Sequence, residues 1–250
     1  MHRRKLVETA AALPLLALMP ALSAGPAAAP LQRVRPGEPG WPSAADWRKL
    51  DDAVGGALLE VRALFSACES DRGSTGCREV FANIQNPFYI GDQAGGTQVS
   101  GWLDAWTPAP SAYALKARNS ADVAAGVNFA RERRLRLAVK GGGHSYQGTS
   151  SAPDSLLIWT RALNQITLHD AFVPAGCAGK FEAAPAVSAG AGAMWIDLYD
   201  AVTSRAGRYV QGGGCTSVGV AGLVQSGGFG SFSKGFGSAA AGLLEAEIVT

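Results

Sequence analysis

Residues Val139–Gly148 read VKGGGHSYQG, which sets one of only three histidines in the chain directly behind three consecutive glycines. Glycine has no Cβ, so successive backbone N–H groups can converge on an anion and hold it without a lysine cluster. The residues leading in place this loop. Tyr113–Ala117 reads as a strand, Asn119 and Ser120 as a helix cap before the periodic Val123, Val127 and Ala130, and Leu135–Val139 as a second strand. The loop therefore closes a strand–helix–strand unit, a familiar place for a phosphate site. Its spacing is not the G-x-G-x-x-G fingerprint, and no acidic ribose-binding residue is placed in the expected way after it. A nicotinamide Rossmann domain fits poorly.

Further along, Leu156–Trp159, Ile166–His169 and Ala186–Gly190 read as strands, and Trp195, Leu198, Tyr199 and Val202 mark a helix. Arg208–Val210 leads to a second glycine-rich tract, Gly212–Gly237, with the sequence GGGCTSVGVAGLVQSGGFGSFSKGFG. Leu243–Thr250 reads as a final strand. Upstream, Gln32–Pro42 is a polar linker, and Trp47, Leu50, Val54, Leu58, Val61 and Leu64 recur at the spacing of one amphipathic helix. The 32 glycines show no G-X-Y period, which excludes collagen, and they concentrate in Gly141–Gly148 and Gly212–Gly237. Two such loops predict backbone held close to a ligand.

A formal charge of +2, from 22 basic and 20 acidic residues without a basic block beyond the first positions, argues against a nucleic-acid partner. The opening MHRRKLVETAAALPLLALMPALSAGPAAAP has a basic start, an apolar middle and small residues for cleavage, and predicts an export signal over residues 1–29. Its apolar run is short for a bilayer and is broken by Pro14 and Pro20. Arg3 and Arg4, followed by Lys5, Leu6 and Val7, resemble a twin-arginine signal; no Ser or Thr opens the motif and Glu8 replaces a base, so an ordinary secretory signal is the alternative. Export implies a periplasmic or secreted protein and permits disulfides. Cys68 and Cys77 would close the short loop CESDRGSTGC, and Cys177 pairing with Cys215 is one reading of the remaining two. No G-x-S-x-G elbow accompanies His144, and His169 stands on a different element without a partner at ligand spacing, so neither a hydrolase triad nor a metal set is predicted.

VKGGGHSYQG, followed by GGGCTSVGVAGLVQSGGFGSFSKGFGSAA and then LLEAEIVT, resembles the FAD-binding domain of the vanillyl-alcohol oxidase and p-cresol methylhydroxylase superfamily over Pro108–Thr250. The branch it is most similar to is the berberine-bridge-enzyme-like FAD-linked oxidases. The resemblance implies an α+β fold, with a PCMH-type FAD-binding domain of two α/β subdomains at 108–250 after a linker and N-terminal helical region at 30–107. It also implies bicovalent FAD, with His144 joined through a ring nitrogen to the flavin 8α-methyl carbon and Cys215 through sulfur to carbon 6. An oxidised flavin is electrophilic at both carbons, and neutral imidazole and thiolate are suited to attack it. A Cys177–Cys215 disulfide remains the rival for that thiol. Lys140 stands where the family often has arginine, which keeps a positive charge near the phosphates. Gly141, Gly142, Gly143 and Ser145 would supply the pyrophosphate nest. Val218, Gly219, Gly222, Gly227 and Gly228 would line the flavin from the second loop, and Ile248 or Val249 matches a strand whose backbone meets the cofactor. Tyr146 would either cover the flavin or pack into the core.

The chain departs from the family in three respects. Thr216 and Ser217 replace Pro-Thr after the cysteine, and GSAAAG replaces G-L-A-A-D-N, which puts Ala241 where the family has aspartate. The family's usual C-terminal substrate domain has no counterpart in these residues, so no catalytic base is assigned. The implied function is an oxidase-like, FAD-dependent oxidoreductase. It would take hydride from an alcohol, sugar or related small molecule and pass electrons to oxygen or another acceptor. The alternative is a truncated, non-catalytic flavin-binding module, or a subunit whose site a partner chain completes.

Overall fold

The structure is a computed structural model that describes residues 32–250. The export signal read over residues 1–29, with Arg3 and Arg4, lies outside the described residues. Ser43 opens helix α1 (Ala44–Ala53) with a capping box: its hydroxyl accepts from Asp46 N, and the Asp46 carboxylate accepts from Ser43 N. The helix turns Trp47 and Leu50 inward and ends at Val54. A longer helix reaching Leu64 was expected from the spacing. Gly55 and Gly56 instead take φ of +59° and +78°, which reverses the chain, and Leu58–Glu60 becomes an edge strand, β1.

Two short helices, α2 (Ser66–Ser70) and α3 (Thr75–Asn83), follow and are joined by the Cys68–Cys77 disulfide expected from the sequence. After α4 (Pro87–Gly91) the chain enters strand β2 (Tyr113–Lys116) and then helix α5 (Ser120–Glu132), capped by the Asn119 side chain on Asp122 N. Strands β3 (Arg136–Lys140) and β4 (Ser155–Trp159) complete a sheet of order β1-β2-β4-β3, in which β2, β4 and β3 are parallel and β1 is antiparallel. β4 is central and every residue of it is buried, which accounts for its unbroken apolar run. Its two faces belong to different cores. Leu156 and Ile158 pack with Leu115 against Trp47, Leu50 and Val54 of α1 and Ala130 of α5, while Leu157 and Trp159 pack with Ala114, Ala138 and Ala152 on the other side. Each of the buried leucine, isoleucine and valine side chains contributes on the order of 2 kcal/mol.

A second α/β lobe follows. Strands β5 (Ile166–Phe172) and β6 (Ala184–Ala189) form an antiparallel pair with an irregularity between His169 and Phe172. Helix α6 (Trp195–Tyr199) runs on as one π-helical stretch over Asp200–Arg205. Trp195, Leu198 and Val202 then meet Val220 of α7 (Val220–Gln225) and Ala239, with Ile166, Val187 and Ala189 of the strands packed alongside. Helix α8 (Ser233–Phe236) and a 3-10 turn over Ala239–Gly242 lead to the last residues.

Leu243–Thr250 does not form the strand expected of it. Its apolar alternation fits a strand, but a strand needs a ladder partner, and among the described residues this segment has no backbone hydrogen bond beyond Leu243 N to Ala240 O. Side chains fasten it instead, through Glu245 to Ala175 N at 2.6 Å and Glu247 to the Ser120 hydroxyl.

Candidate functional site

The two glycine-rich loops meet backbone to backbone. β3 ends at Lys140, and Gly141–His144 leave the carboxyl end of the parallel strands, where open α/β sheets place ligands. A Cβ on the buried Gly142 would fall 2.7 Å from Ser217 O and 2.9 Å from Gly219 N, and one on Gly219 would fall 3.0 Å from Gly142 N. No other residue type fits at Gly142 without driving the loops apart. The second loop is held from the opposite side by α6. Trp195 N donates to Val218 O at 3.1 Å, Ile196 N to Thr216 O at 3.0 Å, and the Tyr199 hydroxyl to Gly213 O at 2.5 Å.

This contact brings His144 and Cys215 to one hydroxyl. His144 Nε2 lies 3.0 Å from Ser217 Oγ, and Cys215 Sγ lies 3.5 Å from the same oxygen. Ser217 has 0% exposure, His144 is half-buried and Cys215 is exposed. Burial lowers the His144 pKa below its ordinary 6.5, opposed by a hydrogen bond with the Ser217 backbone, so the ring is neutral at neutral pH. The Cys177–Cys215 disulfide is not formed; both thiols are free. Sequence reading missed Ser217. The signal available was its place two residues beyond Cys215; the tract holds three other serines, so composition alone did not single it out.

Lys140 has a different place from the one expected. It is 2% exposed, and its Nζ donates to Gln93 O, Ala94 O and Gly96 O at 2.8, 2.7 and 2.8 Å, over the Trp159 ring at 5.2 Å. Its charge is thus spent on carbonyls of the 93–96 loop and is not presented at the mouth of the glycine loop. Burial lowers its pKa to about 7. The same segment touches the first loop directly, through Gln98 N to Gly143 O at 2.9 Å. The signal in the sequence was the pair Gly95–Gly96.

The other expected residues divide. Gly141 and Gly143 line the first loop, Gly141 facing Ala191 O and Gly143, at φ +82°, facing Thr97. The Ser145 hydroxyl turns into its own loop, 2.7 Å from Thr149 Oγ1. Val218 and Gly219 stand at the loop contact. Gly222 lies in α7 with open space where a Cβ would be, Gly228 packs on Ala239, and Gly227 accepts from Ala240 N in the same turn. Ile248 is 76% exposed on the irregular C-terminal segment. Tyr146 is not core: it is 72% exposed, its ring 6.1 Å from Trp102, and its carbonyl accepts from Trp106 Nε1 at 3.0 Å.

These residues fit a dinucleotide. The N–H groups of Gly141, Gly142, Gly143 and His144 donate to no acceptor among the described residues, which leaves four consecutive donors for an anion. Lys140 is engaged with the 93–96 carbonyls, so the groups left at this loop to meet an anion are backbone ones. A nucleophilic side chain, His144, then follows directly at the end of the donor run.

Residues 111–250 match the family model described as FAD binding domain. The chain is 34% identical over 231 residues to "FAD-linked oxidoreductase malF" of Malbranchea aurantiaca, an alignment covering 84% of this chain and 39% of that protein. It is 34% identical over 239 residues to "FAD-linked oxidoreductase asqF" of Emericella nidulans, covering 87% of this chain and 41% of that one. Among solved structures, the VAO-type flavoprotein MtVAO615 of Myceliophthora thermophila C1 superposes with a TM-score of 0.70 at 25% identity, over 83% of this chain and 40% of the other. The chain thus spans about two fifths of the length of the curated relatives it matches.

Proposed function

The chain belongs to the FAD binding domain family of the FAD-linked oxidoreductases, and we propose that it is the cofactor-holding part of such an enzyme, carrying FAD by two covalent bonds, at His144 and at Cys215. The observation that carries this reading is the approach of His144 Nε2 and Cys215 Sγ to one buried oxygen, Ser217 Oγ, at 3.0 and 3.5 Å. The packing of Gly142 against Ser217 and Gly219 joins the two loops, and what it leaves at their junction is two nucleophiles, 71 positions apart, on either side of one oxygen, as a ring held from two sides would need.

Bound FAD would supply a two-electron acceptor for hydride from an alcohol, sugar or related small molecule, with oxygen or another acceptor taking the electrons onward. The chain's own residues act as follows. The amides of Gly141–His144 bind the pyrophosphate. The neutral His144 ring offers a lone pair, and Nδ1 is its nitrogen without a side-chain partner among the described residues. Cys215 is exposed at the second loop, where its sulfur can be reached. Tyr199 and Trp195 hold that loop against α6 so that both attachment points keep their spacing.

A second reading, a flavin-binding module or subunit completed by a partner chain, is favoured by the exposed Phe229, Phe232, Phe236 and Ile248. Acid precipitation tests the main reading. Flavin absorbance that stays with the denatured pellet, and is lost in the His144→Ala, Cys215→Ala double variant, supports it; a colourless pellet from the wild-type chain overturns it. Oxygen uptake or dye reduction against alcohols and sugars then separates an enzyme from a module.

A further inference from the structure

We propose that Ser217 is a positioning residue that relays a proton from Cys215 to His144 and so readies the cysteine as a nucleophile. Its role in flavin attachment rests on the function proposed above; the proton transfer itself does not. Ser217 Oγ is the one atom bonded to both groups, and neither His144 nor Cys215 has another side-chain hydrogen bond among the described residues. A hydroxyl holds one donor and two lone pairs, the minimum a two-sided relay needs. In the ring form with Nδ1 protonated or substituted, Nε2 is a bare acceptor. Ser217 O–H then donates to it, and an Oγ lone pair faces the Cys215 S–H.

The transfer moves two protons and no electrons. The Sγ–H bond breaks as an O–H bond forms on Ser217, while the original Ser217 O–H bond breaks as an N–H bond forms at His144 Nε2. The products are a Cys215 thiolate, a His144 imidazolium and an unchanged serine. Thiolate is the reactive form of cysteine. Ser217 is well placed for this because it cannot wander: it is fully buried, its carbonyl stands against Gly142, and the neighbouring Thr216 and Val218 carbonyls are tied to α6. His144 is supplied in the required neutral state by burial. Threonine, the residue that the resembling family carries here, retains the hydroxyl.

The test is alkylation of the 250-residue chain by iodoacetamide, before FAD is added, read by peptide mass spectrometry with the free Cys177 as internal reference. At pH 7, Ser217→Ala should lower the Cys215-to-Cys177 rate ratio by about five-fold or more, and Ser217→Thr should keep it within about two-fold of wild type, because alkylation follows the fraction of thiolate the relay supplies. His144→Gln should lower it as Ser217→Ala does, which keeps the test open if the alanine variant does not fold. An unchanged ratio in Ser217→Ala or in His144→Gln overturns the relay. So does an equal loss in Ser217→Thr, which would assign the effect to packing. FAD is then added to the wild-type chain: absence of acid-stable flavin would count against the proposed function alone, since the thiol ratios are read without flavin.

Discussion

Ser217 Oγ lies 3.0 Å from His144 Nε2 although the two residues stand 73 positions apart. Each belongs to a different glycine-rich loop, so this bond and the Gly142–Ser217 backbone contact are where the sheet lobe and the second lobe share a site.

His144 is held neutral by burial, with its pKa below the ordinary 6.5. For a lowered histidine the ring stays uncharged as pH falls until that lower value is passed, so its nucleophilic form persists into mild acid. In Cys215→Ser, where only the histidine can attach, the rate of acid-stable flavin formation should change less than about two-fold between pH 8 and pH 6.5 and decline only below. The measurement is a quenched time course at fixed FAD. A rate that halves on descending from pH 8 to 7 contradicts a depressed pKa.

Gly142→Ala places a methyl 2.7 Å from Ser217 O and 2.9 Å from Gly219 N, both backbone atoms that cannot swing aside. Separating the loops should cost about 2–3 kcal/mol, the scale of overpacking a closed contact, and abolish FAD retention. Gly222→Ala is the control: its Cβ meets open space inside α7, and it should be neutral or stabilise by up to about 1 kcal/mol. Chemical denaturation of the two variants decides.

Lys140→Met strands the carbonyls of Gln93, Ala94 and Gly96, which should destabilise by about 3 kcal/mol or more. The wild-type lysine also carries a sign. Its folded pKa, about 7, is below the ordinary 10.5, so between those values the unfolded chain binds the proton more tightly and stability rises with pH. Urea midpoints taken from pH 7 to pH 9 should climb in the wild type more than in Lys140→Met. Parallel slopes would remove Lys140 as the source.

The Cys68–Cys77 bond joins residues nine positions apart. A loop of that size stabilises by about 2.5 kcal/mol on the chain-entropy scale. Cys68→Ser with Cys77→Ser should lower stability by that amount and leave flavin retention intact, because α2 and α3 contribute no residue to the loop contact. Loss of flavin in a folded double variant would show the bridge supporting the site.

Much of this was legible in the residues themselves. β2, α5, β3 and β4 followed from the apolar pattern and the Asn119 cap, because a parallel sheet buried on both faces leaves a continuous signature in Leu156–Trp159. The glycine loops declared themselves by composition. Three features were hidden because they depend on contacts distant in sequence. The helix read through Leu58 and Leu64 breaks at Gly55–Gly56, since apolar spacing is indifferent to a left-handed turn. Leu243–Thr250 has strand-like alternation but no edge to pair with. Lys140 adjoins the glycines in sequence, yet its side chain runs back to carbonyls 44 to 47 positions earlier. Ser217 was passed over for the same reason: a serine acquires meaning here only from a histidine on another loop.

The most direct measurement is tryptic mapping of the flavin-loaded, denatured chain. Cleavage after Lys140, Arg161, Arg208 and Lys234 places His144 and Cys215 on separate peptides. The two should be recovered joined, at their summed mass plus one FAD less the hydrogens lost in forming two bonds, with the flavin absorbance following that species. Recovery of both peptides at their unmodified masses, or of the Cys215 peptide linked to that of Cys177, would contradict attachment at His144 and Cys215.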